Sequence, residues 1–67
     1  MKVFCERLKE LRKESKLSTI ELGKALGVNN STITRWENEN IIPSIEHLYN
    51  IAKYFNVSAD YLIGLED

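Results

Sequence analysis

Apolar side chains recur along the chain at the spacing of an α-helix, and no long segment alternates between apolar and polar residues as a half-buried strand does. Phe4, Leu8 and Leu11 fall on one face of a helix. This stripe predicts a first helix from about Val3 to Ser15. Four further segments have helical spacing, so the sequence predicts an all-α fold.

Capping residues mark where the other helices begin. Ser18 and Glu21 have the spacing of a capping box, which predicts a second helix from Thr19 to Leu26. Gly27 follows at once and can adopt the left-handed conformation that ends a helix. The second helix is therefore bounded at both ends by residues suited to those positions.

Asn29, Ser44 and Ser58 are predicted to cap the third, fourth and fifth helices. The third helix is expected over residues 30–38, and Gly64 is expected to end the fifth. The fourth helix is predicted to bury its apolar residues, namely Ile45, Leu48, Ile51, Ala52 and Phe55. The connections are short, so the five helices are expected to pack as a compact bundle forming one domain over residues 1–67.

Composition excludes several classes of protein. With 67 residues, 43% of them hydrophobic, the chain is suited to one small folded core and not to disorder. No apolar run is long enough for a membrane span, and the N-terminus becomes charged too soon for a signal peptide. Cys5 is the only cysteine, so neither an internal disulfide nor a metal site is expected, and a reducing cytoplasm fits.

Charge is distributed unevenly although the net charge is only −1. Over residues 1–36, eight Lys or Arg residues stand against four acidic residues. Over residues 37–67, Lys53 alone stands against six acidic residues. Because electrostatic fields act locally, a basic face in the first half can attract an anionic partner in spite of the acidic total.

The second and third predicted helices form a distinct unit. Gly23 lies inside the second helix, where glycine costs about 1 kcal/mol relative to alanine, and this is understandable if the third helix crosses close by. Ile33 and Trp36 are expected to form the buried side of the third helix. The opposite side presents small polar residues and one arginine, which suit a DNA major groove: Asn30, Ser31, Thr34 and Arg35.

The stretch "LSTIELGKALGVNNSTITRWENENIIPSIEHLYNIAKYFNVSADYLIG" resembles the lambda-repressor-like, Cro-type helix-turn-helix family, and with the first helix the resemblance covers nearly the whole chain. The matching features are Gly23, Gly27, Ile33, the Trp36-Glu37 pair, the Pro43-Ser44 pair and the closing "VSADYLIG". The resemblance implies a five-helix bundle that binds double-stranded operator DNA as a transcriptional regulator, usually a repressor. It also implies a symmetric dimer, with the third helix in the major groove.

The resemblance also implies roles for individual residues. The base edges would be met by Asn30, Ser31, Thr34 and Arg35. The DNA backbone would be met by Thr19, Asn29 and Asn38, with Lys24 adding attraction for the phosphates. Arg12 and Glu37 match a family pair in which an arginine of the first helix bridges to the glutamate that ends the third.

The chain departs from the family pattern at three places. Thr19 stands where the family commonly has glutamine, and Gly23 stands where alanine is more common. The loop Glu39-Asn40-Ile41-Ile42 replaces a glycine followed by a basic residue, and Asn40 is expected to take the left-handed turn conformation. We therefore expect fewer phosphate contacts from each monomer, so that DNA is bound by a homodimer. This homodimer is expected to form only on DNA.

Two assignments stay open at this point. Arg35 suits a guanine, but a phosphate contact or a pair within its own helix also fits. Of Ile41 and Ile42, one is expected in the core and the other in a dimer contact. Ile63 and Leu65 are rival candidates for the dimer contact.

No catalytic constellation is present: the sequence has no nucleophile beside a base and no glycine-rich phosphate loop, so no enzyme activity, cofactor, metal or small-molecule ligand is expected. His47 is expected to be a solvated or capping imidazole. The competing hypothesis is a helix-turn-helix scaffold that binds another protein through its acidic half. The charge around the third helix discriminates between the two, because a positive surface favours DNA.

Overall fold

Five α-helices make up the fold. The computed structural model describes residues 1–38 and 41–67, and in these ranges it contains no strand. The helices are α1 (Lys2–Glu14), α2 (Thr19–Leu26), α3 (Asn30–Glu37), α4 (Ile45–Phe55) and α5 (Ala59–Ile63). The prediction of an all-α, five-helix fold is confirmed, and each helix ends within about a residue of its predicted bounds. Within the described ranges, no helix combines the length and the apolar composition needed to cross a bilayer.

All four predicted capping residues occupy the N-cap positions of their helices, and the three serines among them cap through their side chains. The Ser18 hydroxyl accepts from the backbone N–H of Glu21 at 3.0 Å, and the hydroxyls of Ser44 and Ser58 cap α4 and α5 in the same way. Asn29 occupies the predicted N-cap position of α3 with an extended backbone, but its side chain makes no capping hydrogen bond. The start of α3 is instead positioned by close packing against α2.

All five helices contribute their inward faces to the core, and among the described residues it consists of apolar side chains alone. Its most buried members are Phe4, Cys5, Leu8, Leu22, Ile33, Trp36, Ile51 and Leu62. Cys5 packs there with its thiol donating to the carbonyl oxygen of Met1 at 3.0 Å. Trp36 is the largest of these side chains, so α3 is anchored to the body by the largest side chain of the core.

Two predictions about burial were wrong. Ile45, expected in the core, is 88% exposed, because it is the first residue of α4 and lies beyond the face that packs inward. Ile41 and Ile42 are both exposed, at 39% and 71%, although one was expected in the core. The imidazole of His47 packs against Trp36, with ring centroids 5.3 Å apart.

The segment after α5 is fastened to α1. Gly64 has a φ of 89° and lies so close to Val3 that an added Cβ would be 3.0 Å from a methyl carbon of that side chain. The Arg7 guanidinium lies over the Tyr61 ring and donates to the carbonyl oxygens of Tyr61 and Glu66. These contacts hold the end of the described chain against the first helix.

Candidate nucleic-acid interface

Helices α2 and α3 approach each other most closely at Gly23. A Cβ added to Gly23 would lie 2.7 Å from the carbonyl oxygen of Val28 and 3.3 Å from the backbone nitrogen of Asn30. Both neighbours are backbone atoms and cannot move aside as a flexible side chain can. The absence of a side chain at Gly23 therefore sets the distance between the two helices, as its place in the sequence predicted.

The turn between these helices is fixed by backbone conformation. Gly27 has a φ of 73°, and its N–H points back to the last turn of α2. The N–H of Val28 donates to the carbonyl oxygen of Gly23 at 2.9 Å. This is the left-handed helix end predicted at Gly27, and it orients α3 relative to α2.

One side of α3 is buried and the other is open. Ile33 and Trp36 are buried in the core, so the helix can rotate little about its own axis. All four candidate base-contacting residues, which are Asn30, Ser31, Thr34 and Arg35, are exposed. The Thr34 hydroxyl donates to the carbonyl oxygen of Asn30 at 3.1 Å, which leaves its oxygen able to accept from a donor group outside.

The candidate backbone-contacting residues lie near the ends of the same two helices. Thr19 is the first residue of α2 and is half-buried, and Lys24 is exposed in the last turn of that helix. Asn29 and Asn38 flank α3 on either side, and both are exposed. The side chains of Lys24, Asn29 and Asn38 are thus accessible to DNA. Thr19 offers mainly its backbone N–H and a short hydroxyl.

An acidic residue stands at the start of α2. The Glu21 carboxylate accepts from the backbone N–H of Ser18 at 2.8 Å, completing the capping box. This backbone hydrogen bond, and next the bond with the Ser18 hydroxyl, lowers the pKa of the Glu21 carboxyl group. The cap was predicted from the sequence, and it fixes the Glu21 carboxylate beside the helix end that the resemblance assigns to the DNA backbone.

An ion pair joins the end of α3 to α1. Arg12 Nε donates to Glu37 Oε2 at 2.7 Å, and a second nitrogen donates to Glu37 Oε1 at 3.1 Å. Arg12 also donates to the carbonyl oxygen of Leu17 at 2.8 Å. The hydrogen bonds to Glu37 raise the pKa of Arg12, against the opposing effect of burial. The pair implied by the resemblance is present, and it neutralises the Glu37 charge close to α3.

The candidate dimer residues differ in accessibility. Ile41, Ile42 and Leu65 are exposed, whereas Ile63 is half-buried. Glu39 and Asn40, including the turn conformation expected for Asn40, lie outside the described residues. Ile45, which the sequence pattern predicted to be buried, is exposed together with Tyr49, and their spacing of four residues places them on one helical face.

Known proteins share this architecture. A family model described as helix-turn-helix matches residues 8–62 of the chain. The crystal structure of the P22 c2 repressor in complex with a synthetic operator superposes with a TM-score of 0.84 at 37% identity, covering 88% of this chain and 89% of that one. The solution structure of a LexA repressor from Eubacterium rectale gives a TM-score of 0.87 at 31% identity, covering 97% and 67%.

Curated relatives are regulators of transcription by name. The chain is 35% identical over 65 residues to the HTH-type transcriptional regulator YobD of Bacillus subtilis, covering 97% of this chain and 58% of YobD. It is 38% identical over 58 residues to repressor protein C2 of Salmonella phage P22, covering 87% of this chain and 27% of C2. The chain thus spans between about a quarter and three fifths of these relatives. Since the family match runs from the middle of α1 into α5 and covers more than half of the chain, the chain belongs to the lambda-repressor-like, Cro/C1-type helix-turn-helix family.

Proposed function

We propose that the chain is a sequence-specific DNA-binding regulator of transcription, acting as a repressor, that inserts α3 into the major groove of operator DNA. The observation that supports this is the exposed polar face of α3, which is mounted on the fully buried pair Ile33 and Trp36. A helix held rigidly on one side can present hydrogen-bonding groups to base edges in one orientation. The names of its relatives, a transcriptional regulator and a repressor, agree with this function. The similar structure of the P22 c2 repressor in complex with a synthetic operator agrees with it as well.

Within this function, Arg35 is the residue that discriminates bases most strongly. Its guanidinium can donate two parallel hydrogen bonds to O6 and N7 of a guanine. Asn30 can pair with N6 and N7 of an adenine in the same manner. Ser31 and Thr34 contribute less, because a hydroxyl can donate to or accept from any base.

The DNA backbone is bound by Thr19, Lys24, Asn29 and Asn38. Only Lys24 among them is charged, and the ionised Glu21 at the start of α2 opposes the approach of a phosphate. Since phosphate neutralisation supplies much of the affinity for DNA, one monomer binds weakly. We propose that two copies bind together, on half-sites about one helical turn apart, in the nucleoid of the cytoplasm.

The proposed function needs no catalytic step, cofactor, metal or small-molecule ligand. Among the residues the structure describes, no three His, Cys, Asp or Glu side chains are grouped as a metal site requires. The family comprises regulators that bind DNA and is not a class of enzymes.

The experiment is a selection of bound sequences from random duplex DNA, at low and at physiological salt. An enriched inverted repeat supports a dimeric operator-binding protein. Arg35→Ala, with Lys9→Ala on the exposed side of α1 as the matched loss of one positive charge, tests the base contact. Arg35→Ala is expected to relax selectivity by about tenfold to a hundredfold at one position of each half-site. Equal selectivity in both variants would refute the assignment of Arg35.

If no DNA sequence is enriched at either salt concentration while the protein remains folded, the chain is instead a module that binds another protein. The acidic half of the sequence motivated that alternative. However, Glu37 forms an ion pair with Arg12, and only 6% of its side chain is exposed. Glu37 therefore adds little negative potential beside α3. This neutralisation favours DNA over a protein partner for the face formed by α3.

A further inference from the structure

The turn after α1 contains a lysine in the left-handed backbone conformation. Lys16 has a φ of 59°. Its N–H donates to the carbonyl oxygen of Lys13 at 3.0 Å, and the next N–H, that of Leu17, donates to the carbonyl oxygen of Arg12 at 3.1 Å. These two bonds form a Schellman motif, in which the left-handed residue is usually glycine and sometimes asparagine. Because a Cβ is strained in this conformation, lysine makes the turn less stable than glycine would.

The side chain of Lys16 makes no contact that offsets this strain. It is exposed. In the described part of the chain the one ion pair joins Arg12 and Glu37, and the cation–π contacts are those of Arg7 and Lys53. A strained residue whose side chain does nothing for the fold is a candidate for a function outside it. The ammonium group of Lys16 can therefore be considered as a ligand for an external anion.

Hydrogen bonds fasten this turn between α2 and α3. The Leu17 carbonyl oxygen accepts from Arg12 at 2.8 Å, and the same guanidinium holds Glu37, the last residue of α3. Lys16 also lies three residues before Thr19, the first residue of α2. The turn thus adjoins the start of α2 and the end of α3, which are the two helix ends proposed to meet the DNA backbone.

We infer that Lys16 binds a phosphate of the DNA backbone at the start of α2, where it supplies the positive charge that Thr19 lacks. The inference deepens the proposed function and rests on it. Lysine suits this contact because its ammonium is a compact charge on a flexible stem, which needs no fixed geometry to bind a phosphate. Its charge also offsets the Glu21 carboxylate, which caps the same helix end. The lysine lowers the stability of the turn and raises the affinity of the interface.

Fluorescence anisotropy on the selected operator and on a random-sequence duplex of equal length, between about 50 and 200 mM salt, tests this contact. Lys16→Gly removes the charge and suits the turn. Its slope of log K against log salt concentration should be shallower by about 1 for each bound monomer on both duplexes. At about 100 mM salt its affinity should fall about fivefold to tenfold per monomer. The ratio of the two affinities should stay the same, because a phosphate carries no sequence information.

Thermal unfolding separates the contact from an effect on folding. Lys16→Gly should raise the midpoint of unfolding by about 2–5 °C, because glycine relieves the strain. A variant that is more stable and binds DNA more weakly does not owe the weaker binding to unfolding. Lys16→Asn also accepts the left-handed conformation and should lose affinity to the same extent. Lys16→Arg keeps the charge and should bind as the unchanged protein does. Lys9→Ala, on α1, is the control for the loss of one positive charge and should leave the slope unchanged.

Three results would overturn the inference: an unaltered slope for Lys16→Gly, a loss of affinity in Lys16→Arg as large as in Lys16→Gly, or an equal loss in Lys9→Ala. Failure of the proposed function is recognised separately. A chain that binds every duplex equally well lacks sequence specificity, yet the effect of Lys16→Gly is still measured on the random duplex. A chain that binds neither duplex overturns both proposals.

Discussion

Arg12 of α1 and Glu37 of α3 form a bidentate ion pair, with Nε and Oε2 2.7 Å apart, and the two side chains are 14% and 6% exposed. The same guanidinium donates to the carbonyl oxygen of Leu17, just before α2. One side chain therefore links the first helix to both helices of the candidate interface. The position of α3 depends on this polar contact as well as on the burial of Ile33 and Trp36.

Replacing Arg12 with methionine is expected to destabilise the fold by about 3 kcal/mol, because it leaves the Glu37 carboxylate enclosed without its partner. Chemical denaturation measures this as a change in the free energy of unfolding. The double variant Arg12→Met with Glu37→Leu is the control, since it removes both charges together. The double variant should be more stable than Arg12→Met alone. If its loss of unfolding free energy equals the sum of the losses of Arg12→Met and Glu37→Leu measured separately, the two side chains are not coupled.

Gly23→Ala is expected to destabilise the protein by about 1–2 kcal/mol, although alanine is the better helix former. The new Cβ would lie 2.7 Å from the Val28 carbonyl oxygen, and the backbone there must shift to accept it. Thermal unfolding of the variant measures the loss. Ala25→Gly, at an exposed position of the same helix, gives the size of the propensity effect alone. A Gly23→Ala variant more stable than the unchanged protein would mean that α3 moves away at little cost.

Much of this fold could be predicted because its signals are local. Ser18 with Glu21, Ser44 and Ser58 act within three residues of themselves, and the left-handed ends at Gly27 and Gly64 require only the absence of a side chain. Periodicity likewise identified the buried faces of α1 and α3. These features depend on nearest neighbours along the chain and not on the packing of distant elements.

The errors occurred where burial depends on distant packing. Ile45 continues the apolar pattern of α4, but the pattern cannot tell where the core ends, and the helix begins beyond it. Likewise, the sequence does not reveal that His47 packs on Trp36 or that Ile41 and Ile42 are both exposed. Asn29 lies at the predicted N-cap of α3, but the sequence does not reveal that its side chain makes no capping hydrogen bond. The roles of the exposed residues toward DNA stay predictions.

The start of α2 should become less stable in acid. The pKa of the Glu21 carboxyl is lower in the folded protein, so its contribution is present above the pKa of the unfolded chain, about 4.3, and is lost as the pH falls through the folded-state value. Glu21→Gln cannot ionise and serves as the reference. The free energy of unfolding of the unchanged protein should exceed that of Glu21→Gln at pH 7, and the difference should shrink between about pH 5 and pH 3. A difference that is constant with pH would contradict the role of the charge in the cap.

The affinity for DNA should fall only modestly as salt is added. Each phosphate contact contributes about 0.9 to the slope of log K against log salt concentration, and Lys24 is the one cationic side chain among the backbone contacts of the proposed function. Fluorescence anisotropy on the selected operator, between about 50 and 200 mM salt, measures this slope. Lys24→Ala should reduce the slope by about 1 for each bound monomer while keeping the preferred sequence, whereas Lys9→Ala should change neither. A slope near −10, as for a strongly basic repressor, would mean that the backbone is bound by cationic groups other than those proposed here.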